Sequence, residues 1–202
     1  MSAELAVPHS DLRQRITAAA IETYRDADFP SVGVDDVART AGLHADVIRS
    51  VFPSWELLVV SVADQWSGSL RRTCMHIGES DGAAAYLRAL LTAADGDRAM
   101  IRMRIALLSA GSDPTHAAAG WFRSEYDRFL EDIVLMLTRD VLAKREPRTM
   151  TPKHGAEQLI ALYEGLQMQA IMLPGVEILP SWDRAVTRMR SGWATAYRPL
   201  DR

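Results

Sequence analysis

The sequence has a single cysteine, Cys74, so neither a disulfide framework nor a cysteine-based zinc cluster can be built from it. Long apolar runs are missing as well. LLVV at 57–60 is typical, far short of the roughly 18 residues that a membrane span needs. The first ten residues, MSAELAVPHS, contain no Lys or Arg and no apolar stretch, which argues against a secretory signal. A dominant charge of one sign is also absent. The formal net charge of −3 excludes a non-specific, basic nucleic-acid coat protein.

Catalytic signatures are equally scarce. There is no G-x-S-x-G elbow, no HExxH, no P-loop and no dinucleotide fingerprint. His76, His116 and His154 lie on separate segments, and Cys74 and His76, two apart, point to different faces of a helix. His76 with Glu79 reads as a surface pair, and Glu125, Asp127, Arg128, Glu131 and Asp132 read as the solvated face of a long helix. These absences predict a soluble, cytoplasmic protein that is not an enzyme, with no metal, no cofactor and no membrane partner.

What the chain does have is helical periodicity over most of its 202 residues, with 48% apolar side chains to build a core. Ile16, Ala19, Ala20 and Tyr24 follow Leu12 at helical spacing, with Ser10 as the expected N-cap and Phe29-Pro30 as the stop. Val34, Val37, Ala38 and Ala41 form a short helix that ends at Gly42. Leu43, Val47, Ile48 and Phe52 form a second, ended by Pro53. Ser54 caps a long segment, and further helices are expected near 82–94, 97–110, 114–145, 153–173 and 181–197. No strand and no repeat is credible, so the fold class is all-α with about nine helices. At 1.5 Å per residue the 114–145 helix would run roughly 45 Å.

Residues 33–52, GVDDVARTAGLHADVIRSVF, have the shape of a helix-turn-helix, two short helices around Ala41-Gly42-Leu43. Glycine is required there because the tight turn needs positive φ. Such a unit presents the N-terminal side chains of its second helix to base edges in the major groove.

With Ile16, Ala19, Ala20, Tyr24, Val34, Asp36, Val37, Ala38, the Ala41-Gly42-Leu43 turn, Ile48, Phe52, Ser54, Glu56, Leu57 and Leu58, the stretch 12–66 resembles the tetracycline-repressor (TetR) family of transcriptional regulators. ALYEGLQMQAIMLP at 161–174 is similar to the family's dimerising region near the C-terminus. The resemblance implies a three-helix head over 1–54 and a helical ligand-binding and dimerisation body over 55–202. It implies an operator on double-stranded DNA, a small-molecule effector and a homodimer. The departures fall on the DNA-facing surface: Arg49 where the family usually has Tyr, Val51 where it has Tyr or His, Trp55 in place of a phosphate-gripping Lys, Asp46 for a small residue, His44 for Ser, and Asp28 for Gly.

Charge divides along the same line. Residues 1–66 hold five basic and ten acidic side chains, whereas 67–202 hold 18 basic and 16 acidic. An acidic head weakens the phosphate attraction that drives non-specific binding. Arg49 is a candidate guanine reader and Asp46 a candidate acceptor from a cytosine amine; Arg13, Arg39, Thr40 and Ser50 are phosphate candidates, with His44 and Ala45 beside them. A surface salt bridge for Arg49, an N-cap role for His44 and a hydrophobic plug for Trp55 are the plainer alternatives.

For the body, the middle helices supply adaptable and aromatic candidates for an effector pocket: Trp66, Met103, Leu107, Trp121, Phe122, Tyr126 and Met168, with Gln167 as a polar contact. Each is equally a core residue at helical spacing. Leu159, Leu162, Tyr163, Leu166 and Ala170, with Val186, Met189 and Trp193 of the last segment and Tyr197 beyond them, are expected to pack against the chain or form half of an intersubunit four-helix bundle. Two functions remain open: a ligand-released repressor, or a degenerate relative that binds a small molecule or protein without specific DNA contact.

Overall fold

The computed structural model describes residues 9–27 and 31–195. The expected stop at Phe29-Pro30, Asp28, Tyr197 and most of the N-terminal ten residues lie outside them. Nine helices and no strand occur among the described residues: α1 (His9–Asp26), α2 (Val34–Ala41), α3 (Ala45–Val51), α4 (Trp55–Asp81), α5 (Ala83–Asp95), α6 (Arg98–Gly111), α7 (Ala119–Leu142), α8 (Pro152–Met172) and α9 (Ile178–Trp193). None is long and apolar enough to cross a membrane. The fold is all-α.

Packing divides the chain into two units. The first takes residues up to Ser69 together with Ala99–Phe122; the second takes Leu70–Arg98 and everything from Arg123 onward. The described residues of the head expected at 1–54 lie in the first unit, which also contains the first half of α4 and nearly all of α6.

In the first unit α1 crosses α2 and α3 and buries Ile16, Ala20 and Tyr24 with Val37, Ile48 and Phe52. The second is built on α5, α8 and α9 with the greater part of α7. Its core holds Tyr86, Leu87, Leu90, Ile133, Leu137, Leu159, Ile160 and Trp182. Burial of such side chains contributes about 1.5–3 kcal/mol each relative to exposure.

Local chemistry moved two helix starts. Ser10 lies inside α1, which already begins at His9, so it is not the N-cap. The seventh helix starts at Ala119, not near 114, because Asp113 folds the chain into a turn first: its carboxylate accepts the Thr115 N–H and hydroxyl, both at 2.8 Å. Short polar side chains compete with helix in this way. The helix therefore has 24 residues and a length of about 36 Å. It ends where Lys144 adopts left-handed φ of 61°, with Arg145 N–H reaching back to the Asp140 carbonyl at 2.8 Å.

Glu125 also departs from expectation. It is buried rather than solvated, because α7 turns it against Arg71 of α4, and Arg128 closes on its other oxygen at 2.9 Å. Tyr126, an effector candidate or core residue by its spacing, is 45% exposed.

A buried carboxylate ties three parts of the second unit together. Asp140 on α7 accepts the N–H of Ala83, the first residue of α5, at 2.8 Å, and the Arg145 Nε at 2.8 Å. Gly82 sits against this carboxylate with φ of 90°, and a Cβ there would lie 2.5 Å from both Asp140 oxygens. Only glycine fits that backbone and that space.

Candidate nucleic-acid interface

The turn between α2 and α3 is as tight as the sequence demands. Gly42 has φ 62° and ψ 40°, and Leu43 N–H bonds the Ala38 carbonyl at 2.9 Å, which closes the C-terminus of α2 in a Schellman arrangement. Arg15 of α1 donates to the Ala41 carbonyl at 2.8 Å, satisfying another carbonyl that the helix leaves open. No apolar pattern announces that contact; the sequence reading missed it.

At the other end of α2, Asp36 accepts the Gly33 N–H at 3.0 Å and Arg39 at 3.0 Å. The Gly33 amide, and after it Arg39, hold the Asp36 carboxyl below the usual carboxylate range. The sign follows: the unfolded chain takes up this proton first, so the contribution is complete above about pH 4 and disappears as pH falls through the lowered folded value. Asp36→Asn is therefore expected to lower the urea midpoint at pH 7, with the gap to wild type shrinking below about pH 4. Urea melts of both proteins between those pH values check it; a gap independent of pH would contradict it.

The candidate DNA residues fall into two groups. Arg13 is exposed but lies back against its own head. Its guanidinium lies 4.1 Å above the Phe52 ring centroid and donates to Ser61 Oγ at 3.0 Å and to the Val51 carbonyl at 3.4 Å. In this geometry it braces α1 against the C-terminus of α3 and the start of α4. Arg39 pairs with Asp36. Thr40 is tied through its hydroxyl to Thr23 at 2.9 Å and to the Asp36 carbonyl at 3.2 Å.

The second group is on α3. His44 is its N-cap residue, exposed and without a side-chain cap bond; Ala45 is half-buried; Asp46, Arg49 and Ser50 are exposed. Arg49 donates to Asp46 at 2.9 Å, and Ser50 Oγ donates to the Val47 carbonyl at 2.7 Å. The salt bridge weighed for Arg49 is thus present, and both partners remain largely in solvent.

Trp55 is half-buried, its ring 6.5 Å from that of Tyr24. With Val34, Ile48, Arg49, Phe52 and Ser54 it lines a cleft of about 230 Å³ beside α3. Ser54 caps α4 by accepting the Leu57 N–H at 3.3 Å.

The effector candidates are distributed over both units. In the first, Trp66, Met103, Leu107 and Phe122 are buried, while half-buried Trp121 meets Phe122 edge-on at 4.7 Å and donates to Asp64 at 3.1 Å. In the second, Tyr126 and Met168 are exposed, and Gln167 is buried with its side-chain nitrogen unpartnered among the described residues.

The expected dimer residues are mostly occupied within the chain. Leu159, Tyr163, Leu166, Ala170 and Val186 are buried in the second unit's own core, and Leu162, Met189 and Trp193 pack against it half-buried. Packing within the chain, one of the two expected roles, thus accounts for most of these side chains. Trp193 is held further by its Nε1 donating to Gln158 at 2.6 Å. The uncovered face of α8 is instead the neighbouring stripe of Ala161, Gly165, Met168 and Met172, where Met168 is 52% and Met172 71% exposed. No group of three or more metal-ligating side chains occurs among the described residues.

No protein-family model matches the sequence. No curated protein matches it either. Solved structures do. A TetR transcription regulator from Haloarcula marismortui superposes with a TM-score of 0.77 at 14% identity, over 91% of this chain and 98% of that one. A TetR-family transcriptional regulator from Rhodococcus gives 0.70 at 17% identity, over 90% and 99%. Thermus thermophilus FadR, a TetR-family repressor in complex with lauroyl-CoA, gives 0.64 at 17%, over 94% and 98%. The chain has the fold of TetR-family transcriptional regulators over about nine-tenths of its length.

Proposed function

We propose that the chain is a one-component transcription regulator, a repressor, that binds operator DNA as a homodimer and releases it when a small apolar or amphipathic effector binds. Residues 1–54 act as the DNA-binding head and 55–202 as the effector-binding and dimerisation body. The carrying observation is the helix-turn-helix around left-handed Gly42, with His44, Asp46, Arg49 and Ser50 exposed on its second helix, in a chain that shares the TetR regulators' fold over nine-tenths of its length.

In this reading Arg49 and Asp46 contact base edges, while His44, Ala45, Ser50, Thr40 and Arg39 lie against the backbone. Arg13 serves by bracing the head. The dimer forms through the open α8 stripe, since Gly165 has nothing within 4 Å of where its Cβ would be and admits close helix approach. Effector binding draws on Trp66, Met103, Leu107, Trp121 and Phe122 of the first unit, and the acyl-CoA carried by FadR is a relevant precedent for an amphipathic ligand. Release requires two states with different effector affinity, because occupancy alone shifts nothing.

A second reading is favoured by the head's excess of acidic over basic side chains: the fold persists but specific DNA contact is lost. Selection of bound sequences from random duplex DNA, repeated across salt concentrations, separates the two. Enrichment of a palindrome supports the regulator. Its absence even at low salt, where electrostatic attraction is strongest, supports the second reading.

A further inference from the structure

We propose that Asp46 and Arg49 act together as the reader of a single guanine·cytosine base pair, which makes Asp46 a specificity-determining residue. The inference rests on the DNA-binding reading given above.

The two side chains stand three apart on α3 and share one face. Arg49 spends a single N–H on Asp46, at 2.9 Å, and the rest of its guanidinium fork remains available. Asp46 is 94% exposed and Arg49 58%. Arg49 is the one hydrogen-bond partner of Asp46 among the described residues, so the second carboxylate oxygen faces outward as an acceptor. Side by side the pair offers two donors and then an acceptor.

In the major groove a guanine·cytosine pair offers the complement in the same order. N7 and O6 of guanine accept, and N4 of cytosine donates. An adenine·thymine pair sets the adenine N6 donor against the guanidinium and the thymine O4 acceptor against the carboxylate. Both contacts are then repulsive, and specificity of this kind comes as much from the rejected pair as from the accepted one. The ion pair also favours this arginine orientation before DNA arrives, so somewhat less side-chain freedom is lost on docking.

The neighbouring pair cannot do this. Asp36 has committed its second oxygen to the Gly33 N–H, and its side chain is only 35% exposed. Asp36 shapes the start of α2, whereas Asp46 caps nothing.

The test is sequence selection from random duplex DNA with the full chain, as wild type, Asp46→Ala, Asp46→Asn and Arg49→Ala, with thermal melts confirming that each is folded. Wild type is expected to enrich a palindrome with guanine·cytosine at one symmetry-related position of each half-site. Asp46→Ala is expected to keep the palindrome, relax that one position by about tenfold, and bind random duplex more tightly at low salt. Asp46→Asn, of the same shape, retains part of the preference; Arg49→Ala loses the guanine. A palindrome from Asp46→Ala identical to wild type at every position overturns the proposal while leaving the DNA-binding reading intact. A wild type that enriches nothing overturns both.

Discussion

Asp140→Ala is expected to destabilise the protein by about 3 kcal/mol, the lower end of the cost of breaking a buried ion pair. Three losses combine. The Ala83 N–H, at the start of α5, is left buried without an acceptor, which alone costs about 1–3 kcal/mol. The cradle formed with Gly82 becomes a void. Arg145 loses its partner, but at 37% exposure it can turn toward water, which keeps the total near the lower end of that range. Asp140→Asn keeps one acceptor for Ala83 and is expected to cost about 1–2 kcal/mol. Urea unfolding followed by circular dichroism measures both. Equal midpoints for wild type and Asp140→Ala would mean that the carboxylate does not hold α5 and α7 together.

The second large effect concerns assembly. Gly165→Arg combined with Met168→Glu places bulk and charge on the open stripe of α8. Met168 is already half exposed and Gly165 faces open space, so the single chain has little reason to unfold. A dimer formed through that stripe must bury the new charges, and its dissociation constant is expected to rise about 100-fold, equivalent to about 2.8 kcal/mol. Sedimentation velocity over a concentration series reads this directly. Leu162→Glu serves as the contrast, because Leu162 packs against the core of its own unit and its replacement should lower stability first. A double variant as dimeric as wild type would place the interface elsewhere.

Much of the head was legible because its determinants are local. Gly42 must be left-handed, Ser54 must cap, and Val37, Ala38 and Ile48 must face inward; each constraint acts within a few residues. The sequence was less informative wherever a partner lies far along the chain. Nothing local in the sequence announces that Arg13 packs over Phe52 and bonds Ser61, 39 and 48 positions away. The buried face of α8 illustrates the general difficulty: the period of Leu159, Tyr163, Leu166 and Ala170 says that the face is covered without saying by what, and α5, α7 and α9 cover it here. Glu125 is the converse, a charged residue whose burial depends on an arginine 54 positions earlier. The seventh helix's late start follows from hydrogen bonds by Asp113 that helical periodicity does not register.

The arginines of the head have a consequence for the cell that carries the protein. Arg13 and Arg15 hold protein carbonyls, and Arg39 and Arg49 hold carboxylates. Such pairs must open before these cations can displace counterions from DNA, and the dependence of affinity on salt scales with the number displaced. On the proposed function, an operator complex made by this head would lose less affinity with added salt than one made by a more basic head. On that reading, its response would follow the effector more closely than the ionic strength around it.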